Sequence, residues 1–217
     1  MLAAILAMGM ATLDVRTFAP SDDFWIYPFA SDTAEPYLRA WGNGGKSVPE
    51  ASDDADSFSH SYLRFDFKDI PKGSYTVKSA TLVLHHVAEF GFTKADADRQ
   101  PLELRFVPTT FREKDWDHGK LKELKPKGGP NGVVASGVFG KADADQPVPI
   151  TFDLLSGKDS FADRLVKALD SDDRTVAFLL TAAFDPSASG RDFIYKVFSK
   201  DGPAEHRPQL KLELERK

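Results

Sequence analysis

The 217-residue chain contains no cysteine, so neither disulfides nor thiolate-bound zinc can hold it together, and stability has to come from a hydrophobic core. It has only two asparagines, Asn43 and Asn131, and neither opens an N-x-S/T sequon. The formal net charge of -5 gives no basic field, which argues against a nucleic-acid partner. Long apolar runs are missing as well. The only marked one, Met1–Ala11, is too short to cross a bilayer, so no membrane span is expected. Short catalytic signatures are also absent: there is no H-E-x-x-H pair and no serine in a G-x-S-x-G elbow. Gly42–Ser47 fails as a phosphate loop, because the first required glycine falls on Ala40 and Pro49 stands where a helix should start. His85 and His86 are adjacent at a strand end, so their rings point to opposite faces and do not chelate one metal together.

What the chain does have is alternation. Leu63, Phe65 and Phe67 share one face of a predicted strand, with Tyr62, Arg64, Asp66 and Lys68 on the other. The same period recurs in Leu102, Leu104 and Phe106, in Val148, Ile150 and Phe152, and in Leu210, Leu212 and Leu214. The segments 80–84, 175–180 and 193–198 are apolar on both faces, as strands inside a stack are. Turn signals separate these segments, at Pro71–Gly73, Lys127–Gly132, Asp185-Pro186 and Asp201–Pro203. Many short strands at this spacing give an all-β sandwich or barrel. One helix is marked near residues 160–169, where Phe161, Leu165 and Leu169 recur and Ser160 stands as its N-cap. Residues 42–59 and 108–145 read as loops at the ends of the sandwich, and Lys94–Asp98 and Lys141–Asp145 as two similar loops. The first eleven residues read as the stump of a secretory signal, with Gly9 and Ala11 before the cleavage point and no basic start. The remaining residues, 12–217, read as one domain.

Ser61–Gly73 followed by Val77–Leu84 resembles the central hairpin of the DNRLRE domains, also classed as carbohydrate-binding module family 96. Other landmarks follow in order: Asp22–Tyr27, Pro36–Trp41, Phe111–Asp117, Ile150–Leu154, and Phe198–Asp201 through Arg207–Leu212. The resemblance covers about residues 20–214. It departs from the family pattern in the longer, more charged 108–145 region and at Asp115–His118. It implies a secreted, antiparallel β-sandwich of the jelly-roll type, found beside polysaccharide-degrading or cell-surface modules and linked to glycan binding.

A pyranose offers an apolar face and a hydroxyl rim, so its binding calls for flat aromatic rings with polar neighbours. Trp41, beside Arg39, and Trp116, between Asp115 and Asp117, are the platform candidates, each with a core or lid aromatic as the alternative. Trp25 reads as core. Tyr62 and Arg64 share the non-core strand face, where they meet a ligand or, for Arg64, form an ion pair with a residue such as Glu103. Glu113, Asp115 and Asp117 are acids of the type a glycosidase uses, but one charged loop carries all three. The aspartates at 53–56, 96–98, 143–145 and 170–173 suit either a structural calcium or solvated turns. The expectation is therefore a secreted, monomeric, non-catalytic module for a polysaccharide or cell-surface glycan. A structural or adhesion module and a polysaccharide hydrolase or lyase are the alternatives.

Overall fold

A computed structural model describes residues 13–27, 30–33, 35–42, 58–87, 92–124, 132–141, 146–157, 161–183 and 194–217. The strands are β1 (Leu13–Phe18), β2 (Asp22–Tyr27), β3 (Ala30–Asp32), β4 (Tyr37–Ala40), β5 (His60–Asp66), β6 (Tyr75–His86), β7 (Leu102–Val107), β8 (Val133–Ser136), β9 (Val138–Phe139), β10 (Val148–Asp153), β11 (Thr175–Ala182), β12 (Tyr195–Phe198) and β13 (Gln209–Arg216). Helix α1 (Lys94–Arg99) joins β6 to β7, and α2 (Phe161–Asp170) joins β10 to β11.

The strands form two antiparallel sheets. The first runs β1-β13-β6-β10-β9, with β12 beside β6 and β4 beside β12; the second runs β3-β2-β5-β11-β7-β8. Successive long strands alternate between the sheets, so β1-β13-β6-β10 faces β5-β11-β7-β8, which is the strand order of a jelly roll. The all-β sandwich expected from the alternation is the fold observed, and α2 stands where its helix was expected. The signal-like start, the aspartates at 53–56 and 143–145, Ser160 and the turns at 127–131 and 185–186 lie outside the described residues.

The inner faces meet through the residues that alternation selects. Leu63, Phe65 and Phe67 from β5 and flanking turn, Leu82 and Leu84 from β6, Ile150 and Phe152 from β10, and Leu210, Leu212 and Leu214 from β13 are all buried in one cluster. Phe178 of β11 sits at its centre, with ring centroids 5.6 Å from Phe106, 5.9 Å from Phe161 and 6.0 Å from Phe65. Helix α2 is amphipathic, and its Phe161, Leu165 and Leu169 seat it against this core.

Three local readings change. On β6 only one face is buried, since Thr81 and Val83 are half-exposed, whereas β11 is buried on both faces along its length. Lys94–Arg99 is a helix and not a loop: Thr93 accepts from the Asp96 amide at 3.2 Å, and the Asp96 carboxylate accepts from the Thr93 amide at 3.2 Å. That reciprocal capping box stabilises a helix of six residues, which has too little apolar periodicity to stand out in the sequence. The 108–145 region is not simply an end loop, because it contains β8, β9 and two 3-10 turns, Glu113–Asp115 and His118–Leu124.

Because Phe178 contacts rings from both neighbouring strands of its own sheet and from α2 at once, Phe178→Ala is expected to cost about 3–5 kcal/mol in urea unfolding, the range for a buried Phe truncated to Ala. A loss below about 1 kcal/mol would show that the two-sheet core is not packed as described.

Candidate functional site

The outer face of the second sheet carries a second apolar layer. Phe24 and Ile26 of β2, Tyr62 of β5, Val107 of β7 and Ala177 and Leu179 of β11 are buried together with Phe111, Leu121 and Leu124 from the segment that follows β7. This segment lies across the sheet as a cover. The ring of Trp116 stacks on Phe24 at 4.5 Å and 30°, Phe111 meets Phe24 edge-on at 5.3 Å, and Phe24 stacks on Tyr62 at 5.1 Å. The apolar side chains on both faces of β11 are explained by this layer: one face meets the sandwich core and the other meets the cover.

Tyr62 and Arg64 do lie on the non-core face, but both are 0% exposed, so they are not open to a ligand. The Tyr62 hydroxyl and the Trp116 indole N–H are buried without a hydrogen-bond partner among the described residues. Burial raises the Tyr62 phenol above its ordinary range. Arg64 is paired, though not with Glu103, which instead accepts from Arg105 at 2.6 Å on its own strand. The Arg64 guanidinium donates to Asp22 Oδ2 at 3.1 Å, to Asp173 Oδ1 at 3.3 Å and to the Thr109 carbonyl at 3.3 Å. Asp22 also accepts from Arg112 at 3.3 Å and from the Glu113 amide at 3.1 Å. The pair thus pins the start of the cover at Thr109, Arg112 and Glu113.

Beside this clamp, three separated segments bring carboxylates together. Ligand oxygens of Asp23, Glu113 and Asp201 lie within 4.8 Å of one another. The Lys200 ammonium donates to Asp201 at 2.7 Å and pairs with Glu113 at 3.0 Å, while the Lys200 amide donates to Asp23 at 2.7 Å. Burial pushes the Asp23 carboxyl up to about 7 against the Lys200 hydrogen bond, and the charges of Glu113 and Asp201 add to the rise. Burial opposes the charge on Lys200, but Asp201 and Glu113 hold its ammonium above the usual lysine range. The donor set is one that suits a hard cation, and here an ammonium occupies that role. The cluster was not legible beforehand, since its members come from β2, the cover and the turn after β12. Of the other aspartates considered for calcium, Asp96 caps α1, Asp98 pairs with Lys94 at 2.6 Å, and Asp173 belongs to the Arg64 clamp.

Arg39 and Trp41 lie elsewhere. The Arg39 guanidinium stands 4.8 Å over the Trp25 ring and is bonded to both Glu35 oxygens at 3.0 Å. Trp25 belongs to the sandwich core, as expected, and stacks on Tyr27 at 5.5 Å. Trp41 is half-buried, and its backbone exchanges bonds with Ser59 at 2.9 and 3.1 Å. Trp25 and Phe24 point to opposite sides of β2, so the five candidate residues fall into two groups: Arg39 and Trp41 on one side, Tyr62, Arg64 and Trp116 on the other. His85 and His86 diverge as expected, with His86 buried and His85 half-buried beside the His206 carbonyl. Burial drives His60 down to about 3 and His86 down to about 4, so both are neutral at pH 7.

Trp116 does reach the surface at its rim. With Phe111 it lines a pocket of about 150 Å³ whose other walls include Arg112, Asp115, Lys120 and Glu123. Asp117, the other acid of this segment, turns back to accept from the Gly119 amide at 2.9 Å. No helix among the described residues is long and apolar enough to cross a membrane. No protein-family model matches the chain, and no curated protein is found similar to it.

Two outcomes follow from the buried polar groups. Tyr62→Phe removes an unsatisfied hydroxyl without opening a cavity, and is expected to raise stability by about 1 kcal/mol in urea unfolding; a loss of that size would mean the hydroxyl has a partner. Asp23 has a folded value above its unfolded 3.8, so its protonated form stabilises the fold at low pH and that contribution is lost as pH rises through about 7. Asp23→Asn should therefore gain on wild type, by an amount on the order of a few kcal/mol, between about pH 4 and pH 8. A constant difference across that interval would show that Asp23 ionises normally.

Proposed function

We propose that the chain is an exported, monomeric, non-catalytic module that binds a polysaccharide or cell-surface glycan, of the kind its resemblance to the DNRLRE domains implies. The observation that supports it best is the pocket at Trp116, an aromatic floor rimmed by charged side chains of both signs. The indole offers a surface for the apolar face of a sugar ring, while Arg112, Asp115, Lys120 and Glu123 offer donors and acceptors to its hydroxyls. Stacking on Phe24 and the Asp22–Arg64 clamp hold that ring in place before a ligand arrives, which lowers the ordering cost of binding. In this reading Tyr62 and Arg64 are scaffold, not contact residues. Arg39 with Trp41 forms a secondary candidate patch. One shallow pocket gives modest affinity, and several copies acting together would multiply it.

A structural or adhesion module is the second reading, favoured by β1. Among the described residues that edge strand pairs only with β13 and leaves Leu13 57% and Val15 63% exposed, a surface suited to a protein partner.

A polysaccharide array separates the readings. Wild type should be retained, Trp116→Ala should lose about tenfold in affinity while still folding to a β-rich state by circular dichroism, and Trp41→Ala should lose less. Equal retention of wild type and Trp116→Ala would remove the pocket from the proposal. No retention on any glycan would favour the adhesion reading, and release of reducing or unsaturated sugars by the purified chain would make it an enzyme.

A further inference from the structure

We propose that a second pocket, between α2 and the ends of β7 and β11, binds a ring-sized organic oxyanion such as a sulfate or phosphate ester. The pocket has a volume of about 210 Å³ and is lined by Phe106, Val107, Thr109, Arg164, Lys167 and Thr175 among others. Arg164 and Lys167 stand three residues apart on α2, Arg164 half-buried at the edge of the face that buries Phe161, Leu165 and Ala168, and Lys167 exposed beyond it. Arg164 is half-buried, and its guanidinium lies 4.9 Å over the Phe106 ring, so its position is set by packing.

These cations are uncompensated. Among the described residues neither Arg164 nor Lys167 has a hydrogen bond or ion pair, in a chain whose formal charge is -5. The neighbouring carboxylate, Asp173, is already occupied: it accepts from Thr109 at 2.7 Å and from Thr175, and it pairs with Arg64 at 3.3 Å. Thr109 and Thr175 have thus given their hydroxyl protons away, and recognition of an anion falls to the guanidinium fork and the ammonium. A guanidinium held over an aromatic ring presents its N–H edge for two hydrogen bonds to one oxyanion, and a lysine three residues on adds a point charge. The rest of the lining is apolar, from Phe106, Val107 and Ala177, and accommodates the body that carries the anion. Pockets for drug-sized ligands usually hold about 300–1,000 Å³, so this smaller one suits a single ring. The inference does not rest on the glycan reading, since the site shares no residue with the Trp116 pocket.

The test is amide chemical-shift titration of the full chain with glucose 6-sulfate, glucose 6-phosphate, sodium phosphate, sodium sulfate and glucose. The two sugar esters should shift amides in 106–109, 164–168 and 175–177, more tightly than the inorganic ions, and glucose should shift none. The double variant R164Q/K167Q, which keeps side chains of similar length and leaves the buried Phe161, Leu165 and Leu169 in place, should weaken the esters about tenfold or more, while Trp116→Ala should leave them unchanged. Silence with every anion, an equal response to glucose, an undiminished response in the double variant, or inorganic phosphate binding as tightly as the sugar phosphate would each overturn the assignment. Loss of ester binding in Trp116→Ala would place the anion in the other pocket and overturn it equally.

Discussion

A guanidinium with no solvent contact anchors the organisation of this molecule. Arg64 sits in the middle of the second sheet, where an isolated charge would be very costly, and it is tolerated because Asp22, Asp173 and the Thr109 carbonyl surround it. Removing either member of the pair leaves the other buried with fewer charged partners, Arg64 with Asp173 and Asp22 with Arg112, so the arrangement favours one geometry over its neighbours. That geometry includes the segment following β7, because Asp22 also takes up Arg112 and the Glu113 amide. The cover is thereby fixed at its first residues, and its apolar side chains complete the second layer. Lys200, bound between Glu113 and Asp201, ties the same stretch to the turn after β12.

This constraint decides where recognition can occur. A jelly roll with an open outer sheet face offers a broad surface, but here that face is filled by Phe111, Leu121 and Leu124. The proposed ligand contacts therefore fall at the rim of the cover, where Trp116 emerges, and in the gap at its base beside α2. The two pockets differ in character. One mixes charges of both signs around an indole, suited to neutral hydroxyls, and the other holds two cations with no ion pair among the described residues.

Much of the scaffold was legible in the sequence, because strands that alternate apolar with polar or amphipathic residues print a two-residue period, as β5, β7, β10 and β13 do. The apolar run of β11 was legible as doubly buried, yet nothing local says what buries its second face. That information is long-range: Leu121 and Leu124 lie in a charged, lysine-rich stretch with no periodicity to mark them. The same blindness misplaced Tyr62 and Arg64, whose strand face was read correctly while its covering was not. Trp116 stood out as a candidate because an indole between two aspartates is conspicuous. The Asp23, Glu113 and Asp201 cluster escaped because no spacing links residues brought together only by the sheet register and a distant turn. Capping explains the missed α1, where Thr93 and Asp96 supply by hydrogen bonds what periodicity does not.

The account depends most on the coupling between Arg64 and Asp22, and a double-mutant cycle measures it without reference to any ligand. Arg64→Met, Asp22→Asn and the combination, each followed by urea unfolding, should show a coupling of about 1.5 kcal/mol or more, because either single change leaves a buried ion without its fully buried counter-charge and the double change removes both. Effects that add to within about 0.5 kcal/mol would contradict the clamp, and with it the fixed cover that places Trp116 at the surface.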